Sequence, residues 1–410
     1  MAPTPDPYGV LAPSFFEDPY PAYARMREEP APPFVAAWGG WALARYADVS
    51  SGFRDPRLSA RRSGTYTSKL PEPLRERLAR LTNNLAAWAL LMDPPMHTRV
   101  RALINKAFTP RVAEALRPAV AEIARGLLDE ALAGGDGLDV VESLANPLPV
   151  LVIGDLLGLP RDDRHRLKKW SDALAAAMGA PQPSLELATA ACDSVVEMEA
   201  YFRDALDERR RAPGDDLLSQ LVIARDGGKL LDEQELLSTC TMLLFGGHET
   251  TTNLIAVGLL ALLRNPEQMK RLRAIEEHEA TEAWPRAIDE LMRFDSPVQR
   301  MGRLAGEDMD LAGSQVRAGD RVFLVMASAH RDESVFTGAD RLDVGREEGR
   351  HLGFGLGAHY CVGAALGRME AEIALRELLR RAENIELANG DLRWHHNASI
   401  RGVQGLRVHT

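Results

Sequence analysis

The stretch from about Asp232 to Arg264, DEQELLSTCTMLLFGGHETTTNLIAVGLLALLR, constrains the fold most, because its middle is apolar on nearly every side. That pattern predicts a helix buried through a core rather than one lying on its surface. At the centre of this helix stand Gly246, Gly247, His248, Glu249 and Thr250, followed by Thr251 and Thr252. Two glycines and three threonines weaken a helix by a few kcal/mol as an order of magnitude. A carboxylate beside a hydroxyl is costly to bury unless paired. A sequence that breaks local rules in the middle of its best helix points to function.

Helical periodicity dominates the rest of the 410 residues. DVVESLANPLPVLVIGDLLGLP, ACDSVVEMEAYFRDALDERRR and AEIALRELLRRAE place apolar residues at three- and four-residue intervals. GDDLLSQLVIARDGG predicts a helix with an Asp cap and a Gly-Gly stop. Strand signals are confined to WALARYADV, DRVFLVMASAH and GLRVHT. The run EEHEATEA (276–283) is expected to be a solvated face. Length alone suggests two or three domains, but no internal repeat or low-complexity linker marks a boundary.

Lys and Arg number 49 against 59 Asp and Glu, a formal charge of −10. That balance argues against a chain built to grip nucleic-acid phosphates. The opening stretch lacks a basic region followed by an apolar one, so no secretory signal is expected. No membrane span is expected either. Three scattered cysteines, Cys192, Cys240 and Cys361, do not make a disulfide framework. A reduced, cytoplasmic protein is the simplest expectation.

One of those cysteines lies in HLGFGLGAHYCVGAALGR (351–368), a glycine-rich loop leading into a helical pattern. A dinucleotide fingerprint needs a third glycine where Tyr360 stands, and a Walker loop needs a Lys-Ser/Thr ending that is missing. Structural zinc normally takes four ligands with a tight pair, and His351, His359 and Cys361 provide none. What remains is a single thiolate presented on a loop whose glycines allow close approach of a large flat group. A single axial thiolate is the arrangement of haem-thiolate oxygenases.

The sequence resembles the cytochrome P-450 family, whose haem loop F-x-x-G-x-x-x-C-x-G is met by Phe354, Gly357, Cys361 and Gly363, with Arg368 and Glu370 in the helix beyond. The E-x-x-R motif is present as Glu290 and Arg293, three apart on one helix face, and the family's third member would be Arg346. The oxygen-activating motif [AG]-G-x-[DE]-T matches Gly246 to Thr250. The resemblance implies that Gly246 leaves room for haem and oxygen, that Thr250 hydrogen-bonds the oxygen being activated, and that Glu249 relays protons. It implies Cys361 as axial ligand of haem b, iron protoporphyrin IX, and His97, Arg101, Arg303 and His359 as propionate contacts. Val362, Gly367 and His330 depart from the usual leucine, alanine and asparagine; none replaces a group that does chemistry.

The resemblance covers nearly the whole chain and overrides the length-based guess. It implies a mainly α fold with a small β region, in which residues 1–410 form one large haem-enclosing domain. By the same resemblance the chain is a monooxygenase that hydroxylates or epoxidises a medium-to-large hydrophobic molecule in natural-product (polyketide, terpenoid or peptide) biosynthesis. Pocket candidates are Asn84, Trp88, Leu243, Val298, Gln299, Met301, Asn397 and Ile400, with Asn84, Gln299 and Asn397 as polar anchors. Electrons would come from a ferredoxin or flavodoxin with its reductase, docking near Arg99, Lys106 and Arg368. A monomer is expected. Three other outcomes stay open: oxidative coupling by the same haem, a catalytically silent relative that recruits a carrier protein, and a haem sensor or electron carrier.

Overall fold

The computed structural model describes residues 6–66, 71–135, 137–180, 184–224, 231–388, 390 and 392–410. The architecture is mainly helical with a small β portion. The expected central helix runs unbroken from Glu233 to Arg264. Its buried residues from Leu254 to Leu262 alternate through no polar face, as the sequence pattern required. The helices Leu185–Arg211, Pro147–Leu157 and Ala364–Arg381 cover the other periodic stretches. A π-helical turn, Val141–Ala145, precedes Pro147. The helix begun by Asp216, whose side chain accepts from Ser219 N–H, spans Leu217–Ile223; the Gly-Gly stop assigned to 227–228 lies outside the described residues.

Two of the three strand expectations need correction. WALARYADV yields a strand only at Gly40–Leu43, and Tyr46–Gly52 is helix. DRVFLVMASAH yields a strand at Arg321–Leu324 and then a short helix, Met326–Ala329. The first helix starts where it does because Asp332 accepts the Tyr46 N–H at 2.8 Å, a cap from 286 residues away that no local pattern reveals. GLRVHT ends in the strand Arg407–His409.

The chain divides into two compact units. Met1–Leu58, Pro118–Leu148 and Thr250–Thr410 form one, and Ser59–Arg117 with Pro149–Glu249 forms the other. The first holds a sheet whose central strand, Arg321–Leu324, is flanked by the parallel Gly40–Leu43 and the antiparallel Met301–Ala305, in the register Met301 to Leu324. One face of this region packs Tyr23, Phe15, Trp38 and Val325, and another packs Phe53, Leu324, Leu352 and Leu356. In the same unit the helix Ala280–Phe294 packs against Ala364–Arg381. The second unit is helical, with Arg164–Gly179 and Ala79–Ala86 both packed against Leu185–Arg211. Among the described residues no helix is long and apolar enough to cross a membrane.

Candidate active site

Within the first unit, the loop carrying Cys361 is shaped by two residues that only glycine satisfies easily. Gly355 and Gly357 have φ of +72° and +71°, and a Cβ at 357 would also come within 3.4 Å of the Phe53 carbonyl oxygen. The Gly355 N–H donates to the Leu352 carbonyl and the Cys361 N–H to the Phe354 carbonyl, each at 2.8 Å. The turn thus leaves Cys361 half-buried, two residues before Gly363 caps the helix Ala364–Arg381. Helix N-termini favour negative charge, and a thiolate there gains from it. The other two cysteines are buried; burial pushes the Cys240 thiol up to about 12, which keeps it protonated.

A buried ionic frame stands behind the loop. Arg293 grips Glu290 through two hydrogen bonds, Nε to Oε2 at 2.7 Å and Nη2 to Oε1 at 2.9 Å. Its remaining donors reach the carbonyls of His330, Ala339 and Arg341. Arg346 Nε lies 3.2 Å from Glu290 Oε2, and all three side chains are almost wholly buried. Glu290 also accepts the Asp343 N–H at 2.9 Å. Bidentate geometry and the fully used donors of Arg293 are what make the Glu290–Arg293 pair tolerable away from water.

Two further connections run to the loop. The ring Nε2 of His330, at the position where asparagine is usual, accepts the Leu352 N–H at 2.8 Å while the His330 carbonyl accepts from Arg293. Burial first, then the charges of His351, Arg293 and Arg331, holds this imidazole neutral, well below the usual histidine range. Asp289 accepts from His351 at 3.1 Å and from Arg368 at 2.5 Å, and the Arg368 guanidinium lies 4.4 Å from the centre of the Phe354 ring. Burial opposes the Asp289 charge, but His351 and Arg368 outweigh it and leave its pKa below the ordinary range. Arg368, expected as a docking cation, is therefore engaged in holding the loop. Arg99 likewise pairs with Glu235, whereas Lys106 is exposed.

Arg303 is buried on the strand Met301–Ala305, with Nη1 donating to the Gly302 carbonyl and its guanidinium over Phe53. His359, half-buried, closes the short turn Gly357–His359. In the second unit, His97 and Arg101 sit one turn apart on the helix Met96–Ala107. Burial, then the Arg101 charge, lowers the His97 pKa against the pull of Asp93.

The middle of the long helix is built differently. A Cβ added to Gly246 would meet nothing within 4 Å, whereas one on Gly247 would come 3.1 Å from two carbons of Ile153. So Gly247 is a packing glycine, and Gly246 borders open space. Glu249, His248 and Asp172 bring ligand atoms within 4.8 Å of one another, and Lys168 pairs with Asp172 one turn earlier. Burial drives the His248 pKa down to about 4. Thr250 follows Glu249 on the same helix.

The three polar anchors expected in the pocket are committed within the protein. Asn84 donates to Glu199 at 2.9 Å and accepts from Trp88 Nε1 and Thr241, both at 2.9 Å; Glu199 also takes Arg80 at 2.5 Å. Trp88 is fully buried and lies 5.2 Å from Phe245. Gln299 donates to the Ser296 carbonyl and accepts from Tyr23. Asn397 accepts the N–H groups of Ser399 and Ile400, forming a turn. Leu243 and Ile400 are buried, Val298 and Met301 half-buried, and Val298 bridges Ile400 in an isolated antiparallel pair.

The first unit thus presents a single half-buried cysteine, held by backbone hydrogen bonds in front of a buried ionic frame. Comparison with known proteins identifies the family. The sequence profile of the family described as Cytochrome P450 matches residues 75–384. The chain is 40% identical over 408 residues to cytochrome P450 monooxygenase PikC of Streptomyces venezuelae, covering 98% of this chain and 93% of that protein. It is 35% identical over 403 residues to the polyketide biosynthesis cytochrome P450 PksS of Bacillus subtilis, covering 96% of each. The solved structure of P450BioI, in complex with an acyl carrier protein ligated to hexadec-9Z-enoic acid, superposes with a TM-score of 0.88 at 33% identity over 97% of this chain and 99% of that one. The chain belongs to the cytochrome P450 family and is a monooxygenase.

Proposed function

We propose that the chain binds haem b through Cys361 and oxygenates a medium-to-large hydrophobic intermediate of natural-product biosynthesis, residues 1–410 acting as one catalytic domain. The observation that carries this is the Cys361 loop, where two left-handed glycines and a backbone hydrogen bond hold one half-buried thiol at a helix start. The residue types fit the cofactor: Gly246 carries no side chain and a Cβ there would meet nothing within 4 Å, and by the family pattern His97, Arg101, Arg303 and His359 would take its carboxylates. Haem ligated by a thiolate supplies the dioxygen chemistry, because the sulfur pushes electron density toward the iron and favours O–O cleavage.

The chain's own residues place and protect that chemistry. Thr250 holds the reacting oxygen by a hydrogen bond, and Glu249 passes protons to it from water. Asp172 and His248, close to Glu249, shape its surroundings. The Glu290–Arg293–Arg346 frame keeps the loop from shifting. Apolar Leu243, Val298, Met301 and Ile400 receive substrate, while Asn84, Trp88, Gln299 and Asn397 fix the walls through their internal hydrogen bonds. PksS, named for polyketide biosynthesis, supports the substrate class. A cytoplasmic monomer fed by a ferredoxin or flavodoxin system completes the proposal, with exposed Lys106 the best-placed of the expected docking cations. A second reading, that the substrate arrives on a carrier protein, is favoured by the acyl carrier protein complex of P450BioI.

Optical titration of the ferric protein tests the proposal. Macrolides or other polyketides are expected to move the Soret band to its high-spin position, and free fatty acids and steroids to move it less. No shift with any free compound, but a shift with a carrier-bound acyl chain, would transfer the conclusion to the second reading. Cys361→Ser is expected to abolish the thiolate-type spectrum of the reduced carbon monoxide complex. An unchanged spectrum would sink the ligand assignment.

A further inference from the structure

The helix Ala280–Phe294 turns two neighbouring carboxylates to different tasks. Glu290 enters the buried frame, whereas Asp289, one residue earlier and about 100° around the helix, meets the Cys361 loop and the helix beyond it. Asp289 accepts from His351 Nε2 at 3.1 Å and from Arg368 Nε at 2.5 Å. Both partners lie against one aromatic ring. The His351 ring centre is 5.6 Å from that of Phe354, and the Arg368 guanidinium carbon is 4.4 Å from it. His351 Nδ1 also accepts the Gly353 N–H at 3.1 Å, and Arg368 Nη1 donates to Tyr360 Oη at 3.4 Å.

The residues held in this way adjoin the thiol-bearing residue on both sides. The Phe354 carbonyl accepts the Cys361 N–H at 2.8 Å, and Tyr360 precedes Cys361 in the chain. Asp289 therefore bears on Cys361 through Arg368 and His351, and through the ring of Phe354. A guanidinium is a planar fork, so tying its Nε to a carboxylate fixes the plane it presents to an aromatic neighbour. The Asp289 side chain is 39% exposed, and water screens a charge in that setting. What it gives the loop is chiefly geometry.

We propose that Asp289 is a positioning residue for the thiolate: by fixing Arg368 and His351 against Phe354 it steadies the turn that presents the Cys361 sulfur as an electron donor. The proposal rests on Cys361 as the haem ligand. Hydrogen bonding and charge around an axial ligand set the reduction potential of a haem iron. Asp289→Asn loosens the hold and leaves the Arg368 charge without its carboxylate. Both changes favour the reduced iron, so the potential rises. Arg368→Lys keeps the charge but loses the planar fork, and so isolates the geometric part.

The test is a spectroelectrochemical titration of the substrate-free holoproteins, with the reduced carbon monoxide spectrum of each recorded beside it. Asp289→Asn and Arg368→Lys are both expected to raise the ferric–ferrous midpoint potential above wild type, Asp289→Asn by more. Asp129→Asn, which removes the same charge from an exposed carboxylate paired with Arg381, is expected to leave it unchanged. A rise in Asp289→Asn with none in Arg368→Lys would make Asp289 a plain charge and overturn the positioning role. An equal rise in Asp129→Asn would do the same. If Asp289→Asn fails to retain haem, Arg368→Lys decides, and a wild-type potential there overturns the proposal. Thiolate-type spectra with unchanged potentials in both variants would overturn this proposal alone. A wild-type spectrum without the thiolate band would overturn the ligand assignment and this proposal with it.

Discussion

The frame behind Cys361 and the centre of the long helix are both buried and polar, yet they are built on opposite terms. Around Glu290, charge meets charge at 2.7 to 3.2 Å, and Arg293 reaches three backbone carbonyls besides. Around Gly246 the helix stops short of its surroundings and leaves space where a methyl group would touch nothing. On the proposed function, the bonded frame would fix the ligand-bearing loop, and the space beside Gly246 would admit molecules that come and go. A family fold that must hold one group permanently and exchange others needs both.

The largest effect that would break this contrast belongs to the frame. Arg293→Ala leaves the Glu290 carboxylate buried with Arg346 as its one remaining ion-pair partner among the described residues, and removing one member of a buried pair typically costs about 3–5 kcal/mol. Purified Arg293→Ala is expected to lose most of its bound haem and to unfold well below wild type, as followed by the Soret band against temperature. Full haem occupancy at an unchanged midpoint would mean that the frame is not what holds the loop.

The two adjacent glycines sharpen the other half. Gly247→Val drives carbons into Ile153, and overpacking of this kind costs about 1–3 kcal/mol. Gly246→Val meets open space and is expected to cost less in stability than its neighbour, yet to lower turnover at least tenfold. If the stability losses were equal, the space at Gly246 would have no special standing. On the same helix, Thr250→Ala is expected to leave haem content and midpoint near wild type while reducing equivalents drain to peroxide, measured as product formed per NAD(P)H consumed. Unchanged coupling would remove Thr250 from the reaction.

How much of this was visible in sequence follows from the range of each interaction. The long helix, the Cys361 loop and Glu290–Arg293 were legible because their partners lie within one helical turn or a short loop, where spacing carries information. His330 was legible only as a departure from pattern, since its partner, Leu352, lies 22 residues on. The Asn84–Glu199 network and the Asp332 cap on Tyr46 join residues 115 and 286 apart, and strand propensity alone extended WALARYADV past its true end. Asp289 stood beside the motif residue Glu290 with no pattern of its own, since His351 and Arg368 lie 62 and 79 residues on. Polar residues in apolar stretches read naturally as substrate anchors; three of them proved to be anchors of the protein itself.

The smallest expected effect tests the loop's hydrogen bond rather than its charges. His330 is neutral in the folded protein because burial lowers its pKa well below the usual value. Above about pH 6.5 it is neutral folded and unfolded alike, so it adds no pH dependence. As pH falls through 6.5 the unfolded chain takes up a proton that the folded chain refuses, so stability declines toward acid by up to about 1.4 kcal/mol per pH unit. His248, with its pKa near 4, acts in the same direction down to that pH. His330→Asn keeps an acceptor within reach of the Leu352 N–H but cannot be protonated in this range. Its midpoint at pH 7.5 is expected to stay near wild type, and its fall between pH 6 and 4.5 is expected to be shallower, the remaining slope including the share of His248. A parallel fall in both proteins would mean that the acid sensitivity lies elsewhere and that the His330 ring is held by shape alone.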